Sequence, residues 1–178
     1  MSYLWDLYWP FLTVAAVIGV VTGHLAYKMP GKEGEKAAYN RKRNLTLIGG
    51  AAAILLAGWV WHGPVGAGQR FTTETERFTR KVLVAFEMAP IKAVVAQNPL
   101  KRSLILSGRA DDFQRKELIR ILKEVPGVGE VHWTDQQADF ALPLLLEVEL
   151  AGLCSFGVGL LLAYLLELRR RSNAQWRW

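Results

Sequence analysis

Two carboxylates, Glu147 and Glu149, stand inside an otherwise apolar run near the C-terminal end of this 178-residue chain. At membrane depth a carboxylate is costly unless paired, so it marks a proton relay, a polar bond to a neighbouring group or an interfacial position. Two residues apart on a helix, the pair point in different directions, which argues against joint acid–base chemistry. They also lie only about a turn and a half from the outer end of the run, so an interfacial position or a polar bond is expected. His24 and His62 fall near the C-terminal ends of two successive apolar runs, which places them at opposite membrane faces, so they cannot jointly ligate one haem. Either could hold a pigment or metal only with a partner's ligand, and an interfacial hydrogen bond is the ordinary fate of a lone histidine. His132 has no second ligand at a recognisable spacing. The single cysteine, Cys154, allows neither an intramolecular disulfide nor a cysteine-based metal site. The chain lacks a phosphate-binding Gly-rich loop with its Lys, a nucleophile elbow, a zinc-protease motif and a dinucleotide fingerprint. These residues predict a chain that is not an enzyme and has no cofactor of its own, with lipid or pigment contacts confined to a partner interface.

The elements that carry these residues are three apolar runs. Leu7 to Tyr27 contains no Lys, Arg, Asp or Glu and reaches roughly 30 Å as a helix, the thickness of a hydrocarbon core. A signal peptide is the rival reading, but no basic residue precedes the run and Asp6 stands where the positive region belongs. Leu45 to Trp61 is shorter and rich in Gly and Ala, which suits a helix packed against others. The third run goes from about Ala141 to Leu168, with Pro143 in its first turn, where proline is tolerated. Small residues recur at every fourth position in each: Ala15, Gly19 and Gly23; Gly49, Ala53 and Ala57; Ala151, Ser155, Gly159 and Ala163. Such ridges let helix backbones approach closely, either within the chain or against a larger membrane complex. Three helices do not need three full ridges merely to pack together.

The chain carries 22 Lys and Arg against 16 Asp and Glu, a net charge of +6. Much of the excess sits in two blocks, Lys28, Lys32, Lys36, Arg41, Lys42 and Arg43 against Glu33 and Glu35, then Arg169, Arg170, Arg171 and Arg177. Short basic segments stay in the cytoplasm, so both blocks predict one topology. Residues 1–27 are an outer N-terminus and first span, 28–44 a basic cytoplasmic loop, 45–65 the second span, 66–137 an outer domain, 138–168 the third span and 169–178 a basic cytoplasmic tail. Tyr3, Trp5, Tyr8 and Trp9, then Trp59, Trp61 and Trp133, all fall on the outer side, the interfacial depth that Trp and Tyr favour. In a Gram-negative bacterium this is a multi-pass inner-membrane protein with its middle domain in the periplasm. The basic blocks meet phospholipid headgroups rather than nucleic acid.

In the middle domain, the flexible-looking Gly66-Ala67-Gly68-Gln69 precedes Thr73 and Glu76, which have the spacing of a capping box. Phe78, Val82, Ala85, Phe86 and Ala89 then share one helical face, and the helix is expected to stop near Pro90. Ile91 to Ala96 and Ser103 to Ser107 read as a hairpin about Asn98-Pro99. Asp111 or Asp112 can cap a second helix with Leu118, Ile121, Leu122 and Val125 on its apolar side, ended by Pro126-Gly127, and Glu130 to Thr134 supplies a last strand.

Over about Glu74 to Thr134 this order resembles the BON domain of bacterial envelope proteins. The resemblance lies in Leu104-Ile105-Leu106-Ser107-Gly108, a helix of about a dozen residues, and Val125-Pro126-Gly127-Val128-Gly129-Glu130-Val131. Family members show a strand ending in Leu-x-Gly, a helix, and a Gly-Val-x-x-Val run entering the final strand. Gly108 and Gly127 fall at turns that need positive φ or a close backbone approach. The usual BON domain is soluble or repeated in tandem, whereas here one copy is tethered at both ends by apolar helices. The resemblance implies envelope or phospholipid attachment and no catalytic activity.

The expected fold class is thus an α-helical membrane protein with three transmembrane helices plus a small α+β extramembrane domain, helix-strand-strand-helix-strand and BON-like. The expected function is an accessory or assembly subunit of a larger inner-membrane complex. Its rivals are a free-standing envelope protein that binds phospholipid or cell-wall material through the middle domain, and a component of a proton or solute pathway using Glu147, Glu149 and His24.

Overall fold

A computed structural model describes residues 3–28, 36–136 and 141–175. The elements are α1 (Tyr3–Tyr27), α2 (Lys36–His62), α3 (Ala67–Ala85), β1 (Lys92–Gln97), β2 (Leu100–Ser107), α4 (Asp112–Leu122), β3 (Glu130–Trp133) and α5 (Leu144–Gln175). Three of these helices are long and apolar enough to cross a membrane: Asp6–Tyr27, Lys36–His62 and Leu144–Asn173. Contacts divide the chain into two compact units, residues 1–8 with 61–147 and residues 9–60 with 148–178.

The long helices extend past the apolar runs because their charged flanks are themselves good helix formers. Lys36 to Asn44 contains Lys, Ala and Arg and neither Gly nor Pro, so α2 starts at Lys36 rather than Leu45. Arg41, Lys42 and Arg43, expected in a loop, are therefore helical. Lys32, Glu33 and Glu35 lie outside the described residues. In the same way α5 continues beyond Leu168, which places Arg169, Arg170 and Arg171 on a helix instead of a tail; Arg177 lies outside the described residues. Pro143 precedes α5, and its carbonyl accepts the Glu147 N–H at 3.2 Å.

In the unit of residues 1–8 and 61–147, a three-stranded sheet runs in the order β1-β2-β3, with β1/β2 antiparallel and β2/β3 parallel. Asn98-Pro99, in the hairpin turn, is a cis peptide. Strand β2 begins at Leu100, ahead of Ser103: Leu100 pairs with Gln97 of β1, Lys101 bridges to Pro143, and the Arg102 carbonyl accepts the Gly129 N–H. Val95, Leu104, Leu106, Val131 and Trp133 are buried on the sheet, and Phe71, Leu83, Leu118 and Leu122 are buried on the helices. Helix α4 has the expected cap in full: Asp111 accepts the Gln114 N–H at 2.7 Å and the Gln114 side chain accepts the Asp111 N–H at 3.0 Å.

Helix α3 departs from expectation in start, face and end. It begins at Ala67, after Gly66 at φ 82, and Thr73 donates to the Gln69 carbonyl within the helix at 3.0 Å. No Thr73–Glu76 capping box forms; Glu76 instead accepts the Val95 N–H of β1 at 3.1 Å. The buried face is Ala67, Gly68, Phe71, Thr75, Thr79 and Leu83, whereas Phe78 and Phe86 are 37% and 52% exposed. Threonine methyls supply apolar surface that a search for large hydrophobes passes over, and the Thr75 and Thr79 hydroxyls are buried with no hydrogen-bond partner among the described residues. The helix stops at Ala85. Glu87 takes φ 59, and the Met88 and Glu87 N–H groups return to the Leu83 and Val84 carbonyls at 2.8 and 3.1 Å, a Schellman ending before Pro90.

In the unit of residues 9–60 and 148–178, α1 and α5 cross at glycines. A methyl on Gly19 would strike the Phe156 carbonyl and come within 3.0 Å of the Gly159 Cα; one on Gly23 would come within 2.6 Å of the Ala163 Cβ. Without Cβ atoms there, the backbones close up. Ser155 seals the crossing by donating to the Leu12 carbonyl at 2.7 Å. On α2 the buried positions are Gly50, Ile54 and Gly58.

Candidate functional site

Each small-residue ridge has a different fate. Ala15, Gly19 and Gly23 of α1 and Gly159 and Ala163 of α5 are buried, while Ala151 and Ser155 are half-buried. On α2 the chain packs through Gly50 and Gly58, each one position on from a residue singled out in the sequence. Gly50 faces Thr22, and Gly58 faces the Glu149 carboxylate. Gly49 and Ala53 are exposed, Ala57 is half-buried, and nothing lies within 4 Å of where a Gly49 side chain would be. The Gly50-Ile54-Gly58 series has the same four-residue spacing, so periodicity alone could not choose between the two faces. Gly152, missed in sequence, lies under the Phe11 ring, 2.7 Å from the position of its absent methyl.

The two carboxylates have separate partners. Glu147 accepts from the Arg102 guanidinium at 3.3 Å, and Arg102 also donates to the Gly127 carbonyl at 2.9 Å. The same arginine's carbonyl receives the Gly129 N–H at 2.7 Å, so Arg102 ties α5 to the turn that enters β3. Glu149 is 8% exposed and its Oε2 has no hydrogen-bond partner among the described residues. It is accommodated because residue 58 has no side chain.

The histidines are equally dispersed. His62 Nδ1 and the Tyr8 hydroxyl are 2.8 Å apart, and the adjacent Trp61 donates to the Leu7 carbonyl at 3.1 Å. Gly68 fits flat against His62, whose Cε1 and Nε2 lie 2.9 Å from the methyl position it leaves empty. This contact explains the glycine at position 68, in the first turn of α3. His132 is 3.2 Å from the Ser103 hydroxyl. His24 is exposed on α1, level with Ala163 of α5, and Ala163 is about four turns along α5 from Glu149. Glu149 and His24 are thus not brought together. Among the described residues no three metal-ligating side chains form a group.

Two clefts mark the α+β unit. One, of about 510 Å³, has mixed walls: His62, Gln69, Thr72, Glu76, Gln97 and Leu100 lie around it. The other, of about 400 Å³, runs between α3 and α4 over Phe78, Val82, Phe86, Ile121 and Val125, with Glu117, Arg120 and Glu124 at its edge. The stripe expected to face the core is the lining of this groove. Hydrogen bonding from Arg120 lowers the Glu117 carboxyl below its ordinary range and raises the arginine in turn. Arg115 does the same to Asp135 through a 2.6 Å ion pair while its guanidinium stacks 4.8 Å from the Trp133 ring.

Both turn glycines adopt positive φ. Gly108 (139°) passes 3.2 Å from the Ile91 Cα, and Gly127 (92°) meets the Phe71 ring at 2.9 Å, each measured from the missing methyl. On α2, Arg41 and Lys42 are exposed, and Arg43 stacks on Tyr39, 6.0 Å from its ring centre. No family model, curated protein or solved structure matches the chain, so the likeness to BON domains rests on the Leu104–Gly108 and Val125–Val131 segments themselves.

Proposed function

We propose that this chain is a non-catalytic accessory or assembly subunit of a larger bacterial inner-membrane complex, with the middle domain periplasmic and the basic helix ends cytoplasmic. The observation that carries this reading is the outward face of α2. Gly49, Ala52 and Ala53 point away from the unit while Gly50, Ile54 and Gly58 point in. Acyl chains gain nothing from small side chains, whereas a neighbouring helix gains close backbone contact. The α1 and α5 ridges are occupied by each other, so the α2 ridge is the one left to receive a partner.

The test is a pair of substitutions made in the native membrane. Solubilised in mild detergent and drawn out on a C-terminal tag, the wild-type chain brings a stoichiometric set of larger membrane subunits. Gly49→Leu with Ala53→Leu keeps the chain folded and loses them. A wild-type chain that emerges alone, or a double variant that retains every partner, defeats the reading.

The groove between α3 and α4 supports the alternative, attachment to phospholipid or cell-wall material through the middle domain, because it is mainly apolar and open. Phe86→Ser lowers retention of lipid or cell-wall fragments if that reading holds, and leaves the co-purifying subunits unchanged if the first one does.

A further inference from the structure

We propose that a groove between α1 and α5 binds one anionic phospholipid from the leaflet bordering the Arg169 to Arg171 end. The groove holds about 330 Å³, and Val20, Val21 and Leu25 of α1 with Ala163 and Leu166 of α5 form its walls. At its polar end stand His24, Glu167 and Arg170. Aliphatic walls accept an acyl chain, and a guanidinium offers planar donors to a phosphodiester.

The local charge count selects an anionic headgroup. Glu167 is 3.0 Å from both Arg170 and Arg171, so one carboxylate serves two guanidiniums. Arg171 spends a further donor on the Tyr27 carbonyl at 3.0 Å. Arg170 remains 69% exposed, and Arg169, next in sequence, and Lys28, which follows Tyr27 of α1, are exposed too. This excess of positive charge is left over by a zwitterionic headgroup and neutralised by an anionic one.

The walls are also fixed before any ligand arrives. Gly19 against Gly159 and Gly23 against Ala163 set the spacing of the two helices, Tyr27 meets Tyr164 edge-on at 5.7 Å, and Arg171 latches their ends. A preformed site spends little ordering free energy on its occupant. The aliphatic walls favour a lipid over a free phosphate. The groove uses faces of α1 and α5, so the inference stands apart from docking through α2.

The full chain, purified in mild detergent, is equilibrated with phosphatidylglycerol and phosphatidylethanolamine, and bound lipid is counted by native mass spectrometry. Wild type retains one phosphatidylglycerol in preference to phosphatidylethanolamine. Arg170→Gln cuts that preference about fivefold, the effect of one basic residue at a membrane surface, and Arg170→Lys keeps most of it. Val21→Trp, which fills the groove from a position 53% exposed, lowers retention of both lipids. An unchanged preference in Arg170→Gln, or one removed only by neutralising Arg41 and Lys42, assigns the effect to the general basic surface and overturns the proposal. Displacement of the lipid by soluble glycerol 1-phosphate overturns it too. Should Arg170→Gln fail to fold, Val21→Trp decides alone, and undiminished retention in that variant is the negative result.

Discussion

Gly159→Ala adds one methyl where α1 and α5 cross, and Gly157→Ala adds the same methyl two residues away on the same helix. At Gly159 the new carbon would strike the Ala16 carbonyl and come within 2.9 Å of the Gly19 Cα and the Val20 nitrogen. All three are backbone atoms, so no rotamer change can make room and the helices must part. At Gly157 nothing lies within 4 Å. Both substitutions gain the same helix propensity, up to about 1 kcal/mol, and this gain cancels when the variants are compared. What remains is the overpacking cost, about 1 to 3 kcal/mol, with the upper half expected because the obstructing atoms are rigid. Equilibrium unfolding in mixed micelles of mild detergent and dodecyl sulfate, followed by tryptophan fluorescence, measures the gap. Equal stabilities, or a greater loss at Gly157, would refute the crossing as the tightest contact of this unit.

Four further outcomes concern the α+β unit. Arg102→Ala lowers its thermal stability by about 1 to 2 kcal/mol through the lost Glu147 and Gly127 bonds, and Arg102→Lys recovers only part, since an ammonium lacks the fork that spans both acceptors. Glu87→Gly raises stability by about 1 kcal/mol, as φ 59 costs a non-glycine residue roughly that much; a loss in thermal melts would contradict the Schellman ending. Leu83→Ala destabilises by about 2 to 5 kcal/mol while Phe86→Ala stays within about 1 kcal/mol, and the opposite ranking would return the core to the Phe78 stripe. The Asp135 carboxyl, held low by Arg115, contributes stability that is present above its ordinary pKa and lost as pH falls through its lowered value. Acid titration of Trp133 fluorescence follows that loss, and Asp135→Asn removes it.

The α+β unit was legible wherever one local signal decided the structure. Asp111 and Gln114 have the polar groups and spacing for a cap, Gly127 sits where the chain must reverse, and β-prone runs flank Asn98-Pro99. Each signal acts within a few residues, and the structure follows it. The misread features depend on partners far along the chain. Residue 68 is a glycine inside a helix because His62 occupies the space of a side chain. Thr75 and Thr79 are buried on the helix that packs against β1, and Lys101 and Arg102 are held in strand conformation by Pro143, which bridges to Lys101, and by the Gly129 N–H, which donates to the Arg102 carbonyl. None of these neighbours can be seen from within a short window of sequence.

The three ridges carry this distinction into function. Spacing by fours identifies a face along which a helix can be approached, but Gly49-Ala53-Ala57 and Gly50-Ile54-Gly58 satisfy it equally on α2, and only the second is buried. The choice was made by Glu149, whose carboxylate fits at residue 58 and would collide with any side chain there, and by Thr22 at Gly50. With those contacts made, rotating α2 by one residue would expose Gly58 and push Ala57 into the carboxylate. The polar group that first suggested proton chemistry therefore acts as a key that sets the rotation of α2. That rotation turns Gly49 and Ala53 outward, and makes the docking face proposed for a partner helix a consequence of how the chain packs against itself.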